Sequence, residues 1–357
     1  MTQTRMAVVG VGALGRHHAR ILSELETVDL VAVADTNIEN AQAIADACGT
    51  EAVADYHDLF GRIDAVSIAV PTFAHLAVAG EFLKQGIPLL VEKPLAGNVQ
   101  DAEQLVELAD ANNTLMQVGH IERFNPATQV AWAACGAPKY IRAERLSPYA
   151  FRSTDIGAVH DLMIHDLDLV LDLADSPVVN VQAFGMCILG GHEDSVQARV
   201  TFENGCIADI TASRVNPFAR RVMQVWSTSG TVTVDFTSRE VVAYRPSEQL
   251  LYGKSPLERA AEPEADIDQL KADVFGKFLT IDQPVVAEGD ALTAELSHFV
   301  ECVQAGRQPL VDGAAALRAM RLADDILTSV AAHQWDGCPE GAIGPHARFD
   351  GRQKIAG

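Results

Sequence analysis

The chain has 357 residues, 48% of them apolar, and a formal net charge of -21; that length suggests two domains, and the composition is globular rather than disordered or fibrous. A surface field of this sign repels polyanions, which sets aside nucleic acid and anionic membrane surfaces as partners. Cys48, Cys135, Cys187, Cys206, Cys302 and Cys338 are widely spaced with no C-x-x-C pair, so reduced, packed thiols are expected rather than a zinc site or a disulfide framework.

From residue 5 to about 120, short apolar runs alternate with helical patterns: "RMAVVG", "ALGRHHARILSEL", "VDLVAVAD", "IENAQAIADACG", "IDAVSIAV", "AHLAVAGEFLKQG", "PLLVEKP", "VQDAEQLVELADANN", "LMQVGH". Strand followed by helix in repetition means parallel strands joined by crossover helices, and continuously apolar strands mean a sheet buried on both faces. The expected class is α/β, beginning with a doubly wound parallel sheet over residues 1–123. After residue 120 the rhythm changes. A helical stretch in "FNPATQVAWAACG", a strand in "YIRAERLSP" and a long amphipathic helix from Gly157 to Ala174 lead into several extended runs. Turn signals at Glu203-Asn204-Gly205 and Ser229-Gly230 separate these runs, the grammar of an antiparallel meander. Helices in "DALTAELSHFVECVQAG" and "GAAALRAMRLADDILTSVAAH" close an α+β domain over 124–333 with a large, open, mostly antiparallel sheet. Residues 334–357 lack periodicity and read as a tail. The glycine pattern starts too early for a signal peptide and no stretch is apolar for long enough to span a bilayer, so a cytoplasmic location is expected.

Gly10, Gly12 and Gly15 form G-x-G-x-x-G between a strand and a helix, and Asp35 closes the next strand 20 residues beyond Gly15, the spacing of a dinucleotide fingerprint. Gly10 serves the tight turn, Gly12 the approach of the pyrophosphate, and Gly15 the packing of helix on strand, with Ala13 and Leu14 on the same loop. The helix N-terminus then faces the phosphates with unpaired N–H groups. Asp35 should accept from ribose hydroxyls and repel a 2'-phosphate, and Thr36 and Asn37 supply no arginine to hold one, which favours NAD over NADP. His17 and His18 read as packing or surface residues.

Ligands in open parallel sheets lie beyond the carboxyl ends of the strands. Pro71, Thr72 and His75 follow one strand and either line the cofactor pocket or, for Thr72 and His75, cap the next helix and sit in solvent. Glu92, Lys93 and Pro94 end another; Pro94 restricts Lys93 to extended geometry and permits a cis bond. A lysine at the mouth of an apolar strand suits a catalytic or substrate-orienting role better than solubility. Asp161 and His165 are four apart, on one face of a helix, with Asp168 a further turn along. Such a pair can bind metal, cap a core or act as an acid/base couple; with no third ligand at suitable spacing, no metal is expected.

Together these motifs resemble the Gfo/Idh/MocA oxidoreductases over residues 5 to 333. The segments "VGHIERFNPA", "RLSPYAFRS" and "DLMIHDLDLVLDL" look like that family's branch of UDP-N-acetylglucosamine 3-dehydrogenases, which oxidise the sugar at carbon 3. The resemblance implies a Rossmann domain, bound NAD, and Lys93 and His165 at the reacting hydroxyl with Asp161 beside them. It also implies substrate contacts from Lys93, His120, Arg123, Tyr149, Arg152 and His165, and a homodimer or homotetramer built through the open sheet. A UDP-sugar diphosphate needs cations, for which Arg123, Arg145, Arg152, Arg214, Arg220 and Arg221 are candidates because guanidinium forks match phosphate oxygens. Two other readings are a dehydrogenase of a free sugar, inositol or amino-sugar acid, and a non-enzymatic NAD-responsive sensor on the same fold.

Overall fold

The computed structural model describes residues 3–151, 156–189 and 191–333. They fall into two units. The first comprises residues up to Phe124 together with Gly289–Asp325, and the second Asn125–Glu288 with the chain from Ile326.

In the first unit the chain runs β1 (Thr4–Val9), α1 (Gly15–Glu24), β2 (Val28–Ala34), α2 (Ile38–Cys48), β3 (Glu51–Val53), β4 (Ala65–Ile68), α3 (His75–Lys84), β5 (Leu89–Glu92), α4 (Val99–Ala111) and β6 (Met116–Gly119). All strand pairs are parallel, in the order β3-β2-β1-β4-β5-β6. The chain therefore reverses direction across the sheet between β1 and β4, which is where a doubly wound fold opens its ligand crevice. Every residue of β4, β5 and β6 is buried, as expected of strands covered on both faces. Side-chain caps set the helix starts: Asn37 accepts from the Glu39 and Asn40 amides, and Asn98 from that of Asp101. The short β3, three residues long, has too little periodicity to be read from sequence.

The second unit begins with α5 (Pro126–Ala134) and β7 (Pro138–Leu146), then α6 (Ile164–Ala174) and the strands β8 (Val178–Met186), β9 (Ser195–Phe202), β10 (Ile207–Ser213), β11 (Arg220–Ser227), β12 (Gly230–Asp235) and β13 (Glu240–Pro246). Three short helices, α7 (Glu248–Tyr252), α8 (Pro256–Ala260) and α9 (Ile267–Asp273), precede β14 (Leu279–Asp282). The eight-stranded sheet has the order β14-β13-β12-β11-β7-β10-β9-β8. Both expected hairpins are present, β9 with β10 and β11 with β12. The sheet is not a simple meander, however: β7 lies between β10 and β11 and runs parallel to β10. A strand followed by a helix crosses over the sheet instead of turning back beside itself, so α6 carries the chain from β7 in the interior to β8 at the edge.

The contiguous division expected at residue 123 also needs correction. The helix α10 (Ala291–Ala305) and most of α11 (Gly313–Ala332) belong with the first unit. Leu292, Leu296, Phe299 and Val300 join Met6, Val8, Ile21, Leu22 and Leu90 in one core. Val311 and Asp312 bond the outer strand β6, covering an edge that would otherwise expose its polar backbone. The expected tail, 334–357, lies outside the described residues.

Candidate active site

The loop after β1 is shaped by contacts that exclude side chains. Gly10 has φ +84°, and a Cβ there would lie 2.8 Å from the Ala69 carbonyl oxygen beyond β4. A Cβ on Gly15 would come within 1.8 Å of the Gly10 oxygen, so only glycine lets α1 start this close to the loop. A Cβ on Gly12, in contrast, would meet nothing within 4 Å. The backbone between Gly10 and Gly15 is thus approachable, with Ala13 and Leu14 exposed on it. Asp35 stands at the end of β2, its Oδ2 accepting from the Val11 amide at 3.0 Å and its Oδ1 from the Asn37 amide at 2.9 Å. Thr36 beside it is exposed. A glycine cradle, a helix N-terminus and a fixed acceptor suit the pyrophosphate and ribose of a dinucleotide.

The loops after β4, β5 and β6 form a second cluster. His75 is 1% exposed and therefore does not sit in solvent. Its Nε2 lies 3.0 Å from the Val70 oxygen and its Nδ1 3.0 Å from that of Pro94, tying one crevice loop to the other. Burial lowers its pKa. Pro71 and Thr72 lead into this turn, and Thr72 does not cap α3, which starts without a side-chain cap. The Lys93–Pro94 bond is cis. Lys93 is half-buried, and Glu92, 8% exposed, accepts from the Lys93 amide at 3.2 Å. The Glu92 carboxylate folds over its neighbour Gly119, where a Cβ would come within 2.9 Å of Oε2. His18 on α1 reaches the same carboxylate: its Nδ1 lies 2.8 Å from the Ser67 hydroxyl and its Nε2 3.1 Å from Glu92 Oε1, in ion-pair range but off the line of a hydrogen bond. His120 is buried behind this group. Burial first, and then the Lys93 cation, lower its pKa to about 3, with Arg123 adding to the effect. The charges of Lys93, Glu92 and Arg123 all bear on His120, so these four residues share one neighbourhood.

In the second unit, the helix expected from Gly157 opens with a π turn, Val159–Met163, before α6. Asp161 sits in this wider turn and His165 in the first turn of α6, both half-buried. Single π turns occur often at functional sites. Glu193 holds the start, its Oε1 accepting from the Val159 amide at 3.0 Å. A Cβ on Gly157 would lie 2.0 Å from that carboxylate, so a side chain there would push the Glu193 carboxylate aside. Asp168 is 4% exposed, buried along α6.

Two arginine candidates are committed elsewhere. Arg145 makes a two-pronged bond to Asp166, both at 2.9 Å, with the pair almost wholly buried. Arg214 donates to Asp194 at 2.8 Å and to the Ile156 oxygen at 2.7 Å, under the ring of Tyr149. Arg220 is exposed and pairs with Glu144, and Arg221 is exposed on β11. Arg152 lies outside the described residues. Sequence reasoning missed Glu193, Gly119 and the link from His18 to Glu92. Only the last left a trace, since His18 falls one turn after Gly15.

Residues 4–120 match the family model "Oxidoreductase family, NAD-binding Rossmann fold" and residues 129–233 the "GFO/IDH/MocA C-terminal domain". The chain is 33% identical to UDP-N-acetylglucosamine 3-dehydrogenase of Acidithiobacillus ferrooxidans, over 93% of this chain and 99% of that protein. The solved structure of that enzyme superposes with a TM-score of 0.80, covering 92% of this chain and 98% of that one. It is also 26% identical to scyllo-inositol 2-dehydrogenase (NAD(+)) of Bacillus subtilis over 87% of this chain and 89% of that protein. Identity to an inositol 2-dehydrogenase of Rubrobacter xylanophilus is 31% over 66% of this chain and 73% of that one. With its NAD-binding Rossmann domain and C-terminal sheet domain, the chain belongs to the Gfo/Idh/MocA family of oxidoreductases.

Proposed function

We propose that this protein oxidises a secondary hydroxyl of a sugar, and that the sugar is UDP-N-acetylglucosamine or a related UDP-sugar oxidised at carbon 3. The observation that carries this reading is the match to a UDP-N-acetylglucosamine 3-dehydrogenase along nearly the whole length of both chains. When bound, NAD supplies the acceptor for the hydride that leaves the carbinol carbon. Asp35, Gly10, Gly12 and Gly15 hold it, and Thr72, His75 and Glu92 shape the adjoining loops. His165 takes the hydroxyl proton as general base, with Asp161 orienting the imidazole. Lys93 donates to the oxygen as it becomes alkoxide and then carbonyl. Tyr149 and Arg123 contact the sugar nucleotide, whereas His120, 2% exposed, is not proposed to touch it. Arg123, Arg220 and Arg221 are the candidate cations for its diphosphate among the described residues, and Arg145 and Arg214 are not proposed for it, being held by Asp166 and Asp194.

The inositol dehydrogenases among the relatives support a second reading, a cyclic polyol or free sugar as substrate. Absorbance of reduced nicotinamide, followed with NAD and a panel of UDP-sugars, inositols and free hexoses, separates the two. Turnover confined to the inositols would overturn the first reading, and turnover with none of the panel would favour a sensor. Replacing Lys93 or His165 by alanine should cut kcat about 100-fold or more while NAD affinity stays near wild type. Unchanged turnover in both variants would remove them from the mechanism.

For assembly we propose a homodimer or homotetramer formed through the exposed face of the eight-stranded sheet. That face carries Tyr140, Gln182, Gln197, Arg199 and Asp209 around a concavity of about 790 Å³, enough polar surface to set register with a second copy. Sedimentation of the Arg199→Glu variant as smaller species than wild type is the expected outcome.

A further inference from the structure

Asn40 lies in the first turn of α2 and is half-buried. Its backbone amide is already engaged by the helix cap, donating to Asn37 Oδ1 at 3.1 Å. A polar side chain at this position of a helix commonly turns back toward the cap residue, but that of Asn40 leaves its own helix. Its Nδ2 donates to the Val11 carbonyl oxygen in the glycine loop at 3.1 Å and to Asp35 Oδ2 at 3.3 Å. Both hydrogens of the amide nitrogen are thus used on acceptors, which settles the end of the amide that faces the loop. Asp35 Oδ2 then carries two donors, the Val11 amide at 3.0 Å and Asn40, whereas Oδ1 carries the Asn37 amide at 2.9 Å. An ionised carboxylate offers about four acceptor positions, two on each oxygen. Among the described residues, Oδ2 is therefore saturated and Oδ1 keeps one position.

We propose that Asn40 is a positioning residue for NAD: it pins one oxygen of Asp35 to the glycine loop and leaves the other, Oδ1, to accept a single hydroxyl of the adenosine ribose. The inference rests on Asp35 being the ribose acceptor, as proposed above. One amide joins three pieces of chain that meet only in the folded unit, the loop after β1, the end of β2 and the start of α2. Without it the Asp35 carboxylate loses one of the donors that orient it, and its free position no longer stays aimed at the ribose. NADP is indifferent to that loss, since its 2'-phosphate gains nothing from a carboxylate placed to meet a hydroxyl. Asn40 therefore governs selectivity for NAD, not affinity for dinucleotides at large.

Calorimetric titration of the full chain with NAD and with NADP tests this. Asn40→Ala keeps a strong helix former on α2 and should weaken NAD about fivefold, the scale of one lost hydrogen bond, with NADP affinity unchanged. An equal loss for both cofactors would mean that the amide only braces the loop, and unchanged NAD affinity that it does nothing for the ribose; either result overturns the proposal. Asn40→Asp has the same shape but sets an acceptor where a donor stood, so it should bind NAD at least as weakly as the alanine variant. Wild-type affinity there would be equally damaging, and this variant decides if alanine prevents folding. The route through Asp35 is read from a double-mutant cycle: in an Asp35→Asn background, Asn40→Ala should weaken NAD by less than about twofold more. A full further loss would place the action of Asn40 elsewhere. Should Asp35→Asn itself bind NAD as wild type does, the ribose reading and this inference fall together, whereas an impaired Asp35→Asn beside an unimpaired Asn40→Ala overturns this inference alone.

Discussion

One oxygen of Asp35 accepts the Val11 amide and the other accepts the Asn37 amide, so the carboxylate is held at the mouth of β2 before any ribose arrives. Asparagine offers one acceptor in place of two and no charge. Asp35→Asn should therefore weaken NAD binding by about tenfold, the loss expected for hydrogen bonds to a charged acceptor, and narrow the preference over NADP. Fluorescence titration with both cofactors checks it, and equal NAD affinity in the two proteins would free Asp35 of the role. This residue was readable because its distance from Gly15 is a property of one strand–helix–strand unit. His18 was only half readable. Its helical position predicts packing, which is what it does, but contact with Glu92 depends on how α1 lies over β5, and no local pattern encodes that.

At the scale of elements, parallel strands and crossover helices follow from apolar periodicity, and the hairpins follow from Asn204-Gly205 and Ser229-Gly230. The place of β7 between β10 and β11 does not. Pairing partners far apart in sequence are chosen by the packing of whole strands and helices, not by the residues of any one strand. The π turn was hidden for a related reason: Val159–Met163 is widened where Glu193, from the far side of a strand, caps its first amide. Gly157→Ala would drive a Cβ to 2.0 Å from the Glu193 carboxylate, displacing the cap and with it Asp161. The expected result is a stability loss of about 1–3 kcal/mol, with kcat reduced and NAD titration unaltered. A variant with wild-type kcat would show that the turn does not govern the placement of Asp161.

For the whole molecule, buried histidines set the response to acid. Unfolded, His120 titrates near 6.5, whereas folded it resists protonation down to about 3; His75 is shifted the same way. Between those values the unfolded chain binds protons that these native histidines refuse, so the two together lower stability as pH drops below about 6.5. Buried Glu295 contributes in the opposite sense, since its raised pKa favours the native state as pH falls toward the ordinary carboxylate range. His120 alone contributes about 1.4 kcal/mol per pH unit in that window. Asp64 beside Arg5 and Asp209 beside Arg199, both with lowered pKa values, lose their contributions only in stronger acid. Melting temperature should fall from about pH 7.5 to about pH 5.5 in wild type and fall less in His120→Asn, by calorimetry; matching slopes would mean that His120 is protonated in the folded state. The return of α10 to the first unit has a different reach. Because Leu296 and Phe299 complete a core begun by Met6 and Val8, the cofactor-binding half cannot finish folding while the ribosome is still making the sheet that follows it. Nascent chains released before residue 289 should be cut readily by protease within their first 124 residues, and chains extended past residue 325 should resist.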